Sequence, residues 1–283
     1  MKNGNFSIIK LRKMIGKQKI GILGVGMVGG SLKRYFEKQE NVELFLYDKK
    51  GLGSLGDLNK ADFVYVCLPT PYVSEKGCDT SIIEEGVKNI SGNKIIIIKS
   101  TVIPGTTDKM QEKFPQHKFL FNPEFLTEAT ADQDMFLPDR QIMGYTKESY
   151  SISKNVLQQL PLAPYEDIVP AIVAEFIKYA NNTWFAVKVA MNNELYDLAK
   201  KTGISEEEWE KLVSGIASDK RVGRTHLTIV HKEKRGYWGK CLPKDIKALL
   251  KFAEDSGVEM PVREAANKYN DKLLNSQGVK EFI

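Results

Sequence analysis

The chain has 283 residues, 42% apolar and 27% charged, with a formal net charge of +5, as in an ordinary soluble globular protein large enough for two unequal domains. Three cysteines without CxxC spacing and three scattered histidines argue against a disulfide framework and against a metal site. Because no apolar run approaches ~18 residues and the start lacks a leader pattern, we expect a cytoplasmic protein without a membrane partner.

Short apolar runs recur along the first half of the chain, mostly separated by helix-like or glycine- and proline-marked segments. They cover residues 19–24, 43–47, 62–68, 94–99, 117–121 and 141–144. This alternation is typical of βαβ units and predicts a Rossmann-type parallel sheet.

The first run leads directly into a glycine motif, Gly24-Val-Gly26-Met27-Val28-Gly29, and a helical pattern follows. The glycines permit a tight turn, close approach of a pyrophosphate and close helix packing, and the helix N-terminus faces the phosphates. Between a strand and a helix, the motif predicts a dinucleotide site. A purely structural turn is the alternative.

Asp48 ends the second run. A carboxylate there accepts hydrogen bonds from the adenosine ribose and repels a 2′-phosphate, so NAD is preferred over NADP. The next two residues, Lys49 and Lys50, leave a partial accommodation of that phosphate open, although surface lysines after a strand are usually solvated.

Two later turns follow apolar runs, one containing Thr70 and Pro71 and the other Thr101. Ligands of parallel sheets bind at the carboxyl ends of the strands, so the threonine hydroxyls are candidates for cofactor contact. Simple turn chemistry explains them equally well. The segment that contains Glu124 and Glu128 belongs to the same edge, and its two carboxylates either form a solvated helix face or orient a water or hold Lys178.

A long helical pattern covers residues 172–201. Lys178 and Asn182 lie four residues apart and therefore on one face, among aromatic and aliphatic neighbours. Buried there, they offer a cation and an amide to a developing oxyanion. On an ordinary helix both would be exposed.

Nine basic or imidazole side chains lie between Lys220 and Lys240. A solvated loop face and a site for a phosphate-bearing small ligand both explain this charge. Nucleic acid is not expected as a partner, because no binding module or interleaved aromatic residues accompany the charge.

Cys241 stands between a glycine-bearing loop and a predicted helix that starts near Pro243. Backbone N–H groups and the positive helix end favour the thiolate at such a position, as a nucleophile requires. A small buried apolar residue is the plain alternative.

Taken in order, a series of motifs resembles the UDP-glucose/GDP-mannose dehydrogenase family. The similarity spans residues 19–270 and consists of GVGMVG, Thr70-Pro71, KSTVIPGTT, NPEFLTE with the later Pro138-Asp-Arg140, AEFIKYANN, Asp219-Lys-Arg221-Val-Gly223 and CLPKD.

This resemblance implies an α/β fold with an NAD-binding Rossmann-type domain at residues 1–168. It also implies a long central helix and a smaller all-helical dimerisation domain at residues 169–283 that carries the cysteine loop. The implied reaction oxidises the primary alcohol of a nucleotide sugar, such as C6 of UDP-glucose, to a carboxylate, with two NAD reduced. Cys241 would carry a thiohemiacetal and then a thioester.

The residue chemistry and the resemblance together assign three groups of site residues. In this assignment Arg221 reaches the ligand of a neighbouring subunit, and a homodimer forms through the helix at residues 172–201. The groups are catalytic: Cys241, Lys178, Asn182, Glu124, Asp245 and Thr101; cofactor-binding: Gly24, Gly26, Met27, Val28, Gly29, Asp48, Thr70, Pro71, Thr101 and Glu128; and substrate-binding: Glu124, Phe125, Leu126, Lys178, Asn182, Arg221 and Gly236.

Three departures from the family pattern are evident. Thirteen residues separate Asp48 from Asp62, where the family has an additional helix and strand; Trp238 and Lys240 replace expected glycines; and the family continues into a nucleotide-binding domain beyond the length of this chain. Two other functions therefore stay open: a degenerate NAD-binding or dimerisation module, and a single-step β-hydroxyacid-type dehydrogenase.

Overall fold

The computed structural model describes residues 17–279, which divide into two compact units. The first comprises Thr80–Lys178 together with the described chain up to Thr70, and the second comprises Pro71–Asp79 together with the described chain from Tyr179 onward. The chain thus passes from the first unit to the second after Lys178, ten residues beyond the boundary that the sequence predicts for the domains, and a short turn from the first half of the sequence belongs to the second unit.

The strands are numbered along the chain. They are β1 (Gln18–Leu23), β2 (Val42–Asp48), β3 (Leu52–Gly53), β4 (Phe63–Val66), β5 (Tyr72–Val73), β6 (Gly77–Cys78), β7 (Ile95–Ile98), β8 (Lys118–Phe121), β9 (Arg140–Tyr145), β10 (Tyr165–Pro170), β11 (Val230–His231) and β12 (Lys234–Arg235).

The helices are numbered in the same way. They are α1 (Met27–Phe36), α2 (Leu55–Leu58), α3 (Ser81–Lys88), α4 (Thr106–Lys113), α5 (Ala131–Phe136), α6 (Tyr150–Leu157), α7 (Ala171–Lys201), α8 (Glu206–Ala217), α9 (Leu242–Asp255) and α10 (Pro261–Ser276). None of the helices in residues 17–279 has the length and apolar character needed to span a membrane.

The first unit is built on a sheet of order β10-β9-β8-β7-β4-β1-β2-β3. Strands β2, β1, β4, β7 and β8 are parallel, which confirms the Rossmann-type α/β class. The sheet is not wholly parallel, because β3 pairs antiparallel with β2 and β9 pairs antiparallel with β8. Strand β10 was not predicted, since its polar start, Tyr165-Glu-Asp167, hides the apolar pattern.

The run of four isoleucines in β7 shows why central strands of this sheet read as continuously apolar. Ile96 and Ile98 pack into the core on one face of the sheet, whereas Ile97 packs into the core on the other. Because helices cover both faces of a parallel sheet, successive side chains are buried on opposite sides and no polar alternation remains.

The second unit is mainly helical and contains two small apolar cores. One lies where α7 meets the region of Tyr237 and Ile246, and the other surrounds Trp209 of α8. This unit was expected to be all-helical, but it also holds two antiparallel ribbons, β5–β6 and β11–β12. Each strand in these ribbons has two residues, too few for an alternating pattern to register in the sequence.

Candidate functional site

The turn from β1 into α1, in the first unit, depends on its three glycines. A Cβ on Gly24 would lie 2.8 Å from the Cys67 carbonyl oxygen, and one on Gly29 would lie 2.0 Å from the Gly24 carbonyl oxygen. A Cβ on Gly26 would meet no described atom within 4 Å. Gly24 and Gly29 therefore permit the fold of the turn, whereas Gly26 keeps its outer side accessible.

The helix that follows this turn suits an anion. Helix α1 starts at Met27, with Gly26 as its N-cap, and its first turn contains no acidic side chain. The N–H groups of Met27, Val28 and Gly29 have no intrahelical carbonyl to bond, and they carry the positive end of the helix dipole. The residues present thus fit the pyrophosphate of a dinucleotide.

Asp48, at the carboxyl end of β2, is tied to the same turn. Its two carboxylate oxygens accept hydrogen bonds from the backbone N–H of Val25 at 2.7 Å and of Lys50 at 2.9 Å. These bonds, that of Lys50 above all, lower the pKa of Asp48, and the carboxylate remains ionised. The side chain predicted to bind ribose is therefore held in place by backbone groups on both sides.

Two hydroxyl bonds fasten the next two loops to each other. Thr70 donates its hydroxyl to the carbonyl of Thr101 at 2.7 Å, and Ser100 donates to the carbonyl of Leu68 at 2.6 Å. The buried Thr70 thus fixes loop geometry, and its hydroxyl proton is already used within the protein. Thr101, predicted for both cofactor contact and catalysis, is half-buried in this joined loop pair.

A buried ion pair joins the loop after β8 to helix α7. Lys178 donates to a Glu124 carboxylate oxygen at 2.8 Å and to the Glu124 carbonyl at 2.6 Å, while the other carboxylate oxygen accepts from Leu126 N–H at 2.8 Å. Burial opposes ionisation, but the Lys178 charge and these hydrogen bonds lower the pKa of Glu124. Of the alternatives for Glu124, the structure thus favours the one in which it holds Lys178 over a solvated helix face.

Lys99 and Asn122 belong to the same buried region and were not predicted as site residues. The Lys99 ammonium donates to the Asn122 side-chain oxygen, and the Asn122 amide donates to the Ile142 carbonyl at 2.8 Å. Burial lowers the pKa of Lys99 to about 8. The sequence signal was a lysine that directly continues a run of four isoleucines, where a solvated side chain is unexpected.

The remaining predicted residues of this loop differ in environment. Phe125 and Leu126 are partly buried against the apolar cores, and the Arg140 guanidinium lies 3.9 Å from the centroid of the Phe125 ring. Glu128 is exposed. The packing of Phe125 and Leu126 helps hold Glu124 in position, whereas Glu128 stays at the surface.

In the second unit, Cys241 is the N-cap residue of α9 and is exposed, and its side chain does not cap the helix. Pro243 occupies the first turn, as the sequence predicts. Because the N-terminal N–H groups and the helix dipole favour an anion, this position suits a thiolate.

Asp245, in the first turn of the same helix, is almost fully buried and bound on both sides. One oxygen accepts from the Asn182 amide at 2.6 Å and the other from the Lys244 ammonium at 2.5 Å. Burial disfavours the ammonium, but the Asp245 charge raises the pKa of Lys244. Lys244 was not singled out in the sequence, because a lysine in the first turn of a helix is ordinarily solvated.

The other predicted residues of this unit have clear local partners. Arg221 is strongly exposed and bonds to Asp219, with contacts of 2.6–3.2 Å. Gly236 has φ of 85°, and a Cβ there would lie 2.6 Å from the Asn270 side-chain oxygen, which accepts the Tyr237 N–H. Gly236 is therefore required by the packing of its loop on α10.

Profiles of known families match most of the chain. The NAD binding domain of the UDP-glucose/GDP-mannose dehydrogenase family matches residues 54–160, and the central domain of that family matches residues 172–272. The chain belongs to the UDP-glucose/GDP-mannose dehydrogenase family. NAD is the cofactor that this domain and the geometry of the glycine turn indicate.

Curated members of this dehydrogenase family align with three quarters of the chain. The UDP-glucose 6-dehydrogenase of Rickettsia conorii is 32% identical over 224 residues, which cover 76% of this chain and 50% of the relative. The UDP-glucose 6-dehydrogenase TuaD of Bacillus subtilis is 28% identical over 228 residues, which cover 76% of this chain and 47% of the relative. The chain therefore spans about half the length of the curated dehydrogenases it matches.

Solved structures of dehydrogenases share the fold. The UDP-glucose dehydrogenase of Pyrobaculum islandicum superimposes with a TM-score of 0.78 at 23% identity, covering 93% of this chain and 72% of the other. The UDP-D-ManNAc dehydrogenase of Pyrococcus horikoshii superimposes with a TM-score of 0.77 at 19% identity, and the match covers 92% of this chain and 69% of the other. At such identities the likeness concerns the fold alone.

Proposed function

We propose that the chain oxidises the primary alcohol of a nucleotide sugar, C6 of UDP-glucose or a related sugar, to a carboxylate with NAD. The observation that carries this proposal is the arrangement at α9. Cys241 stands at the helix N-terminus, and Asp245 in the first turn is held by Asn182 and Lys244. A buried carboxylate that accepts two hydrogen bonds one turn from the thiol is unexpected beside an inert cysteine and is typical of a functional site.

In the proposed reaction, NAD supplies the hydride acceptor for both oxidations. The first oxidation turns the alcohol into an aldehyde, and the alcohol proton goes to a base. The Cys241 thiolate then forms a C–S bond to the aldehyde carbon, and protonation of the oxygen gives a thiohemiacetal. Its oxidation gives a thioester. Water adds to the thioester, the C–S bond breaks, and the carboxylate and the thiol are released.

The other predicted residues take roles that suit their chemistry. Lys178 and Asn182 would stabilise the oxyanion, because each can donate a hydrogen bond in a water-poor environment. Glu124 would accept the proton; its lowered pKa supports a carboxylate at neutral pH. Asp245 would orient the water, and Thr101 would contact the cofactor or that water.

A cofactor-reduction assay tests this function. The protein is mixed with NAD and, in turn, UDP-glucose, UDP-N-acetylhexosamines and GDP-mannose, and NADH formed per sugar consumed is counted. Two NADH are expected for the true substrate. The variant Cys241→Ser is expected to lose the second oxidation, because the thioester cannot form, whereas Cys78→Ser retains both. No NADH with any of these sugars would contradict the proposal, and one NADH insensitive to thiol alkylation would favour the single-step dehydrogenase.

We also propose that two copies associate through α7. The exposed fractions of Trp184, Met191 and Leu198 on this helix are 64%, 63% and 62%. Their spacing places them on one face of the helix. Three large, exposed apolar side chains on one helix face support a protein–protein contact, and a second copy is the partner that the family resemblance implies.

A further inference from the structure

The carboxyl end of β2 continues into a tight hairpin that the sequence pattern did not predict. Strand β3 pairs antiparallel with β2, with Asp48 opposite Leu52. The Gly51 N–H donates to the Asp48 carbonyl at 3.1 Å, and Gly51 has φ of 96°. A three-residue loop with glycine in the left-handed position is a common hairpin connection. Lys49 and Lys50 therefore sit at fixed backbone positions directly after Asp48.

The same hairpin is joined to the glycine turn before α1. Asp48 accepts the backbone N–H of Val25, which lies inside the glycine turn, and that of Lys50, which lies inside the hairpin. The adenosine ribose of a bound dinucleotide lies beside the acidic residue that ends β2. The hairpin thus borders the position where NADP carries its additional 2′-phosphate.

The local charge at this position is positive. Asp48 contributes one negative charge, already engaged by two backbone donors, while the exposed Lys49 and Lys50 contribute two positive charges. After the two backbone hydrogen bonds, the positive charges of Lys50 and Lys49 also help to lower the pKa of Asp48. A 2′-phosphate carries between one and two negative charges near pH 7, so two flexible ammonium groups can offset its repulsion from one carboxylate.

We infer that the hairpin of Lys49 and Lys50 is a cofactor-selecting element that admits a 2′-phosphate, so that this chain binds NADP as well as NAD. Asp48 alone predicts a preference for NAD. The two lysines that follow it add NADP to the cofactors that the site can bind. The inference rests on the cofactor site of the proposed function and requires no turnover of any sugar.

Calorimetric titration of the unmodified protein with NAD and with NADP tests the inference. The two dissociation constants are expected to differ by less than about tenfold. In Lys49→Ala/Lys50→Ala, NADP binding is expected to weaken at least tenfold while NAD binding changes less than about twofold. The matched control is Lys147→Ala/Lys154→Ala, which removes two exposed lysines that follow β9, and it should leave both constants unchanged.

Two further measurements sharpen the test. Raising the salt concentration should weaken NADP binding more than NAD binding, because exposed ammonium–phosphate attraction is screened. Asp48→Asn should tighten NADP binding by removing the repulsion. Binding of NAD without NADP, or an equal loss of both in the lysine variant, overturns the inference and leaves the proposed oxidation intact. Binding of both cofactors without oxidation of any sugar overturns only the proposed function.

Discussion

The Glu124–Lys178 ion pair illustrates how costly a buried charge is when its partner is removed. The side chains are 11% and 5% exposed, so neither charge is well solvated. A lone buried carboxylate is disfavoured more strongly than a neutral amide of the same shape. The ion pair therefore stabilises the first unit only while both charges are present, whatever the role of the two residues in catalysis.

Lys178→Ala should lower the free energy of unfolding by about 3–5 kcal/mol near pH 8. The double variant Lys178→Ala/Glu124→Gln should be less destabilised than the single variant, because no uncompensated charge remains. Urea unfolding of the wild type and the three variants, Glu124→Gln included, checks this. Equal stability of Lys178→Ala and the double variant would show that the charge of Glu124 is not the cause.

The sign of the pH dependence follows from the lowered pKa of Glu124. A carboxyl group with a lower pKa in the folded state contributes stability above its unfolded pKa and loses it as the pH falls through the folded pKa. The stability difference between the wild type and Lys178→Ala should therefore shrink on acidification below pH 4.5. Unfolding at pH 4 and at pH 8 measures it.

Helix α4 depends on a carboxylate from α7. Glu175 accepts the N–H groups of Gly105 and Thr107 and the Thr107 hydroxyl, at 2.5–2.8 Å, at the N-terminus of α4. Burial raises the pKa of Glu175 to about 7 in spite of these bonds. The helix cap thus changes its protonation state near neutral pH, and this cap directly follows the loop that contains Thr101.

This raised pKa predicts that the contribution of Glu175 to wild-type stability declines between pH 4.5 and pH 7. A carboxyl group whose folded pKa is raised contributes stability below its unfolded pKa and loses it as the pH rises through the folded pKa. The loss should be on the order of 3 kcal/mol. Glu175→Gln carries no titratable group, so its stability relative to the wild type should increase over that range. Parallel urea unfolding at pH 4.5 and pH 8 checks the difference, and a constant offset would contradict it.

The glycine turn before α1 allows a matched pair of variants. Gly29→Ala forces a Cβ to within 2.0 Å of a backbone oxygen, so it should lower the melting temperature and also weaken NAD binding. Gly26→Ala places its methyl in open space, so the melting temperature should change little while NAD affinity falls. Thermal unfolding and NAD titration separate the two effects. Equal melting temperatures for both variants would contradict the assigned roles.

The association of two copies is tested on the intact protein. The wild type should sediment as a dimer, and Trp184→Glu/Leu198→Glu should sediment as a folded monomer, because two charges on the α7 face oppose its burial. Leu162→Glu/Val258→Glu alters two other exposed apolar residues, 84% and 57% exposed, and should remain dimeric. A wild type that is monomeric at high concentration would remove this proposal without affecting the NAD site.

Much of the fold was evident from local patterns in the sequence. Each of the six apolar runs overlaps a strand of the large sheet, the glycine motif lies between β1 and α1, and Cys241 stands at the start of α9. The NAD cofactor and the family were likewise confirmed. Such features depend on residues within a few positions of each other, because strand period, turn chemistry and helix starts are properties of short segments.

Other features depend on residues that are distant in the chain. Lys178 and Glu124 are 54 positions apart, and Asn182 and Asp245 are 63 apart. Lys244 contacts Asp245, its neighbour in the chain. This contact matters for the site because the fold buries Asp245. A residue type alone does not show whether its side chain is solvated. The sequence left burial and exposure open for Lys178 and Asn182, which are buried, and it passed over Lys99, Asn122 and Lys244.

The tertiary structure also decided strand direction, domain assignment and hydrogen-bond partners, which the sequence pattern does not distinguish. The reversed direction of β9, the assignment of Pro71–Asp79 to the second unit, and the hydrogen bond from the Val25 N–H to the Asp48 carboxylate all arise from long-range packing. Local propensity sets which segments form strands and helices, whereas burial and hydrogen-bond satisfaction across the folded chain set which polar side chains become partners. The sequence thus identified the dinucleotide turn and the thiol, and the fold determined the surroundings of each.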